Sequence, residues 1–165
     1  MTGLGYKGMM VAANELLDIC AQIEKKAAEV YFFFGELYRD MPDLAKLWIK
    51  TAQEEENHMQ QFQLAARLGN NATFTATVSL TQAQQALEMI TSLQERLKQN
   101  PPTWHTALKF AIELEDRIGR FHTSTALIFD DVAFNSLYKA MMKNDRDHVQ
   151  SLSRYLANPT DQDTL

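Results

Sequence analysis

Two segments of this chain place a carboxylate three residues ahead of a histidine. Glu55 precedes His58, and Asp145 precedes His148, at an offset of 90 residues. Both pairs lie midway along stretches whose apolar residues recur at alternating steps of three and four, the period of one buried helix face. On a helix, positions i and i+3 are about 60° apart around the axis and one turn apart along it, so both side chains reach one point beside the helix. Charged and imidazole groups on faces that must pack against other helices need partners, because an unpaired buried charge is costly.

The same period runs through most of the chain. Six glycines and four prolines in 165 residues are about half the usual share, and chains so poor in turn residues are mostly helical. Proline is tolerated in the first turn of a helix or just past its end, so Pro42, Pro101, Pro102 and Pro159 mark boundaries, as does Gly69-Asn70-Asn71. These marks predict long helices over 12–39, 42–68, 103–129 and 131–157. Asp40-Met41-Pro42 and Asp130-Asp131 are joints short enough to force antiparallel hairpins. Residues 70–80 are Thr-rich and read as irregular. A shorter helix over 82–99 follows, with Thr81 as its N-cap and Leu87, Ile90, Leu93 and Leu97 as its apolar stripe. The expected fold class is all-α: a four-helix bundle of two antiparallel hairpins, with an extra helix in the long crossover, in one domain spanning 1–165.

Each long helix carries a seam interrupted near its middle by a carboxylate: Glu24, Glu55, Glu115 and Asp145. Their levels match. Glu24 lies 16 residues before Asp40 and Glu55 lies 15 after it, while Glu115 lies 16 before Asp131 and Asp145 lies 14 after it. With a rise of about 1.5 Å per residue, each hairpin brings its two carboxylates to nearly one height. Four carboxylates and two histidines then converge inside the bundle. Empty, such a cluster would repel itself and partly protonate. Two divalent cations carry +4 and balance four carboxylates, and the oxygen and imidazole donors suit iron or manganese better than zinc. Four carboxylates with paired Glu-x-x-His-like spacing is the di-metal pattern of helical bundles.

Composition excludes several alternatives. The single Cys20 rules out an internal disulfide and any Cys-rich metal cluster. A net charge of −5 offers nothing to nucleic acid or an anionic membrane. No apolar run reaches the ~18 residues of a spanning helix. Met1–Met10 lacks the layout of a signal peptide, so the expected location is cytoplasmic.

Ile23-Glu24-Lys25-Lys26-Ala27-Ala28-Glu29-Val30-Tyr31, Ala52-Gln53-Glu54-Glu55-Glu56-Asn57-His58, Glu115 and Asp145-Arg146-Asp147-His148 together resemble the rubrerythrin-type branch of the ferritin-like superfamily. The resemblance covers roughly 12–68 and 103–157. It implies a ferritin-like bundle with a non-haem di-iron centre that reacts with peroxide or dioxygen. Glu24 and His58 would be terminal ligands of one iron, Glu115 and His148 would serve the other, and Glu55 and Asp145 would bridge. No rubredoxin-like Cys₄ segment is present, which implies a separate electron-donor protein. Asp145 is one methylene shorter than glutamate, so it is expected to bind one metal only or to act through water. An oxidoreductase of peroxidase or ferroxidase type is the leading expectation. Non-enzymatic storage or buffering of iron or manganese is the alternative.

Other residues carry blander readings. Glu54, Glu56, Glu113 and Asp147 lie off the seams and read as solvated surface charges. His122 reads first as a core histidine and second as a partner of the ligands or a catalytic group; Tyr31 reads first as a core aromatic and second as a hydroxyl partner of the ligands or a radical site. His105 reads as exposed and Cys20 as a buried, inert thiol. Val30-Tyr31-Phe32-Phe33-Phe34 covers a full helical turn with apolar groups, which calls for cover from the crossover helix or a homodimer partner.

Overall fold

The structure, a computed structural model, describes residues 3–68, 74–75, 78–125, 128–129 and 132–159. Its elements are α1 (Gly3–Leu37), α2 (Pro42–Leu68), β1 (Phe74–Thr75), α3 (Leu80–Gln99), α4 (Trp104–Thr125), β2 (Ile128–Phe129) and α5 (Val132–Ala157). Among the described residues the protein is all-α apart from two two-residue strands. Among the described residues, no helix is long and apolar enough to cross a membrane.

The hairpin of α1 and α2 is antiparallel. Near the turn, an added Cβ on Gly35 would meet Ile49 and Trp48. Farther along, Leu17, Cys20 and Ala21 of α1 share a buried cluster with Phe62, Ala65 and Ala66 of α2. Pro42 opens α2 at the position where its missing N–H costs nothing. The second long pair, α4 and α5, packs together, α2 touches α5, and α3 lies along α1. The main core draws on all five helices, through Ile23, Tyr31, Phe34, Trp48, Ile90, Leu108, Ile118 and Leu152 among others.

The aromatic run of α1 divides as its helical period requires. Val30, Tyr31 and Phe34 are buried, whereas Phe32 and Phe33 are half-buried against the same core that holds Ala83 and Ile90 of α3. The crossover helix is fastened there by polar contacts. Gln94, itself buried, donates to Glu29 and accepts from Lys26.

Three boundaries differ from the sequence reading. Helix α1 begins at Gly3 rather than near residue 12. Once the packed part is formed, each added turn extends an existing nucleus, and glycine costs only about 1 kcal/mol per residue. Helix α4 ends at Thr125 rather than 129, because Ile128 and Phe129 pair in antiparallel register with Thr75 and Phe74. Branched and aromatic side chains favour that extended form, so part of the stretch 70–80 is a strand as well. Helix α3 is capped by Ser79, not Thr81. The Ser79 hydroxyl accepts from the Gln82 N–H and the Gln82 side chain accepts from the Ser79 N–H, a reciprocal capping box. The expected Asp130-Asp131 joint lies outside the described residues.

Candidate metal centre

Helical period delivers five of the six sequence-predicted ligands to one buried place. Glu24 comes from α1, Glu55 and His58 from α2, Glu115 from α4 and His148 from α5, each at most 4% exposed. They form two groups, Glu24/Glu55/His58 and Glu55/Glu115/His148, whose donor atoms lie within 4.8 Å of one another in each group and which could each hold a metal ion. Glu55 belongs to both. The sixth predicted ligand, Asp145, lies on α5, and its side chain is outside the described residues.

The contacts define the geometry. His58 Nδ1 is 3.0 Å from Glu55 Oε2 and 4.0 Å from Glu24 Oε2. His148 Nδ1 is 2.8 Å from Glu55 Oε1 and 3.3 Å from Glu115 Oε2. The two imidazoles lie face to face with centroids 5.8 Å apart. Both turn Nδ1 toward the carboxylates, so one nitrogen from each hairpin faces the same interior.

Charge inside this space is poorly balanced. Burial pushes the Glu24 carboxyl up to about 8 against the pull of His122. Burial, reinforced by neighbouring Glu55, pushes Glu115 up to about 7. Burial also opposes charge on Glu55, but hydrogen bonds from His148 and His58 outweigh it and hold Glu55 below the usual carboxylate range. For His148, burial disfavours the cation, yet bonds to Glu115, Glu54 and Glu55 outweigh burial and raise it. Both oxygens of Glu24 and Oε1 of Glu55 are fully buried. His122 Nε2 lies 2.8 Å from Glu24 Oε1, at ion-pair distance. Lone pairs of buried carboxylates that face one another fit cations, which need ionised oxygen and neutral imidazole donors.

Sequence reasoning understated three residues here. Glu54, read as a solvated surface charge, is half-buried, and its Oε2 is 2.7 Å from His148 Nε2. A surface cleft lined by Glu54, Asn57, Gln60, Gln61 and Leu64 adjoins it. Tyr31 and His122, read first as core side chains, are wholly buried but both touch cluster carboxylates: the Tyr31 hydroxyl donates to Glu115 Oε1, and His122 meets Glu24. The available signal was spacing. Tyr31 and His122 each stand seven residues after a seam carboxylate, which places them on that same face two turns on. Glu56, Glu113 and Asp147 are exposed as expected, and so is His105. Cys20 is buried and free, and burial pushes its thiol up, out of the reactive range.

The chain matches no protein-family model, no curated protein and no solved structure. What stands is the cluster itself: a predominantly helical protein with a buried carboxylate–imidazole site that could hold a metal ion.

Proposed function

We propose that this chain is a ferritin-like protein of rubrerythrin type. In this reading, Glu24, Glu55, His58, Glu115, Asp145 and His148 hold two iron ions, and the protein is an oxidoreductase that reacts with peroxide or dioxygen. One observation carries the proposal: Glu55 lies within ligand distance of two donor groups at once, so a single carboxylate can serve two adjacent metals. Manganese or zinc could occupy the same donors.

Bound iron would supply one-electron chemistry and coordination positions open to small oxidants. The remaining work falls to the protein. Glu24 and Glu115 each bring one oxygen toward the imidazole of their half. Glu54 holds His148 through Nε2, which leaves Nδ1 for the centre. Tyr31 keeps its proton, since burial and the neighbouring carboxylates raise its hydroxyl well above the ordinary value, and it donates that proton to Glu115. Leu17, Cys20 and Phe62 on one side, and Trp48, Phe34 and Leu108 on the other, are buried apolar side chains of the helices that carry the cluster. Burial of the donors themselves strengthens the electrostatic contacts among them. Electrons would come from a separate donor protein.

The test is metal analysis of protein purified anaerobically under iron-replete conditions, followed by a peroxide pulse watched by absorbance. About two irons per chain and rapid bleaching or growth of a charge-transfer band are expected. Stoichiometric metal without any response to peroxide or oxygen would favour storage over turnover. Substoichiometric metal that exchanges freely would remove the centre altogether.

A further inference from the structure

Tyr31 follows Glu24 by seven residues on α1, and His122 follows Glu115 by seven on α4. Each reaches across the bundle to the other's carboxylate. The Tyr31 hydroxyl donates to Oε1 of Glu115, and His122 Nε2 lies 2.8 Å from Oε1 of Glu24. In both cases the second oxygen is left facing an imidazole of the centre: Glu115 Oε2 toward His148 Nδ1 at 3.3 Å, and Glu24 Oε2 toward His58 Nδ1 at 4.0 Å. Placement is symmetric and chemistry is not, because one terminal carboxylate is held by a phenol and the other by an imidazole.

His122 has the surroundings of a fixed support. It is 0% exposed and lies against the rings of Phe62 and Phe121, with centroids 5.3 and 6.0 Å away. A side chain packed on two rings gives up little further freedom when it holds a carboxylate. Both oxygens of Glu24 are buried, and of the two imidazoles near it His122, 2.8 Å from Oε1, is the closer, with His58 at 4.0 Å from Oε2. A carboxylate with several rotatable bonds and no support presents its second oxygen to a cation only part of the time.

Resting on the metal-centre reading above, we propose that His122 is a positioning residue for one half of the site. It clamps Glu24 through Oε1, presents Oε2 to the metal shared with Glu55 and His58, and so sets the affinity of that half independently of the other. Tyr31 does the same for Glu115, and the two metal positions are tuned by different chemistry.

The experiment is a titration of the metal-free full-length chain with Co²⁺, followed by visible absorption and by competition with a chelator. The parent is compared with His122→Phe, His122→Gln and Tyr31→Phe. Phenylalanine keeps the ring and removes the nitrogen, whereas glutamine places an N–H at nearly the reach of Nε2. His122→Phe is expected to weaken one of two Co²⁺ equivalents by about 10–100-fold, the usual cost of losing a ligand's hydrogen-bond partner. The other equivalent should stay unchanged. His122→Gln should stay within a few-fold of the parent, and Tyr31→Phe should weaken the opposite equivalent. A purely structural role for His122 would move the metal-free melting temperature and leave the affinities alone, or would lower both together. Either result overturns the proposal, as does His122→Gln binding as weakly as His122→Phe. Should His122→Phe not fold, His122→Asn carries the test, since its amide is too short to reach Glu24 and must give the same one-sided loss. If the parent binds no Co²⁺, the metal centre itself falls. If the parent binds two and His122→Phe matches it, only the role of His122 falls.

Discussion

His148 is held at both of its nitrogens: Nε2 lies 2.7 Å from Glu54 Oε2, while Nδ1 faces Glu55 and Glu115. The neighbours Glu54 and Glu55 on α2 thus grip one imidazole of α5 from two sides. Such a carboxylate fixes the tautomer and ring plane of a metal-binding histidine.

Glu54→Gln should therefore weaken metal binding at the half that contains His148. A loss of about 10–100-fold is expected, with helix content unchanged. Glu56→Gln, one residue beyond Glu55 and exposed, is the control and should bind as the parent does. Equal affinities in all three proteins, read by chelator competition, would show that Glu54 is a surface charge after all.

The metal-free protein should lose stability as pH rises from about 5 to about 8. Glu24 and Glu115, raised to about 8 and about 7 from an ordinary 4.5, hold protons in the folded state that the unfolded chain has already released. Raised carboxyls contribute their stability below the unfolded value and lose it as pH climbs through the folded one. His148, also raised, adds a loss of the same sign above 6.5. Glu55, lowered, acts oppositely, and its contribution disappears as pH falls below about 4.5. Melting temperatures should thus peak near pH 5 with chelator present. With saturating Mn²⁺ the decline toward pH 8 should vanish, since the cation competes with those protons. A chelated protein most stable at pH 8 would contradict the burial of these carboxyls.

Asp145→Glu should strengthen binding of the second metal. The added methylene lengthens the reach by about 1.5 Å, and in the parent the half with Glu24, Glu55 and His58 should fill first at limiting metal. The larger side chain could also cost ~1–3 kcal/mol by overpacking, so urea unfolding must accompany the titration. Two equal affinities in the parent and no gain in the variant would mean that the short carboxylate already suffices.

Gly35→Ala should change stability by no more than about 1 kcal/mol, in the favourable direction. Alanine gains about 1 kcal/mol over glycine inside a helix. Its Cβ would stand 3.1 Å from Ile49 Cγ1, and Ile49 is 40% exposed and free to move outward. Gly35→Leu should instead destabilise by ~1–3 kcal/mol, because Trp48 at 3.6 Å cannot yield. Urea denaturation of both variants settles the sign.

What the sequence made legible was everything governed by helical period. Glu24, Glu55, His58, Glu115 and His148 all sit on seams, and burial follows from that. Glu54 could not be found this way. It is about 100° around the helix from Glu55, and only the approach of α5 to α2 brings His148 to it. The crossed grip of Tyr31 and His122 is tertiary as well, since spacing gives their face but not the carboxylate each will meet. The overrun of α1 to Gly3 and the early end of α4 depend on neighbours: a packed nucleus to extend in one case, and a strand partner at Phe74–Thr75 in the other.

Cys20 lies one turn before Glu24, wholly buried beside Phe62 and Ala66, and it is the chain's single thiol. Its burial turns it into a clock. An alkylating reagent reaches that sulfur only when the structure around it opens, so with reagent in excess the rate of labelling counts how often the helices part beside the cluster. Because a protein with one cysteine gives one signal, opening beside the cluster can be timed without engineering anything into the molecule.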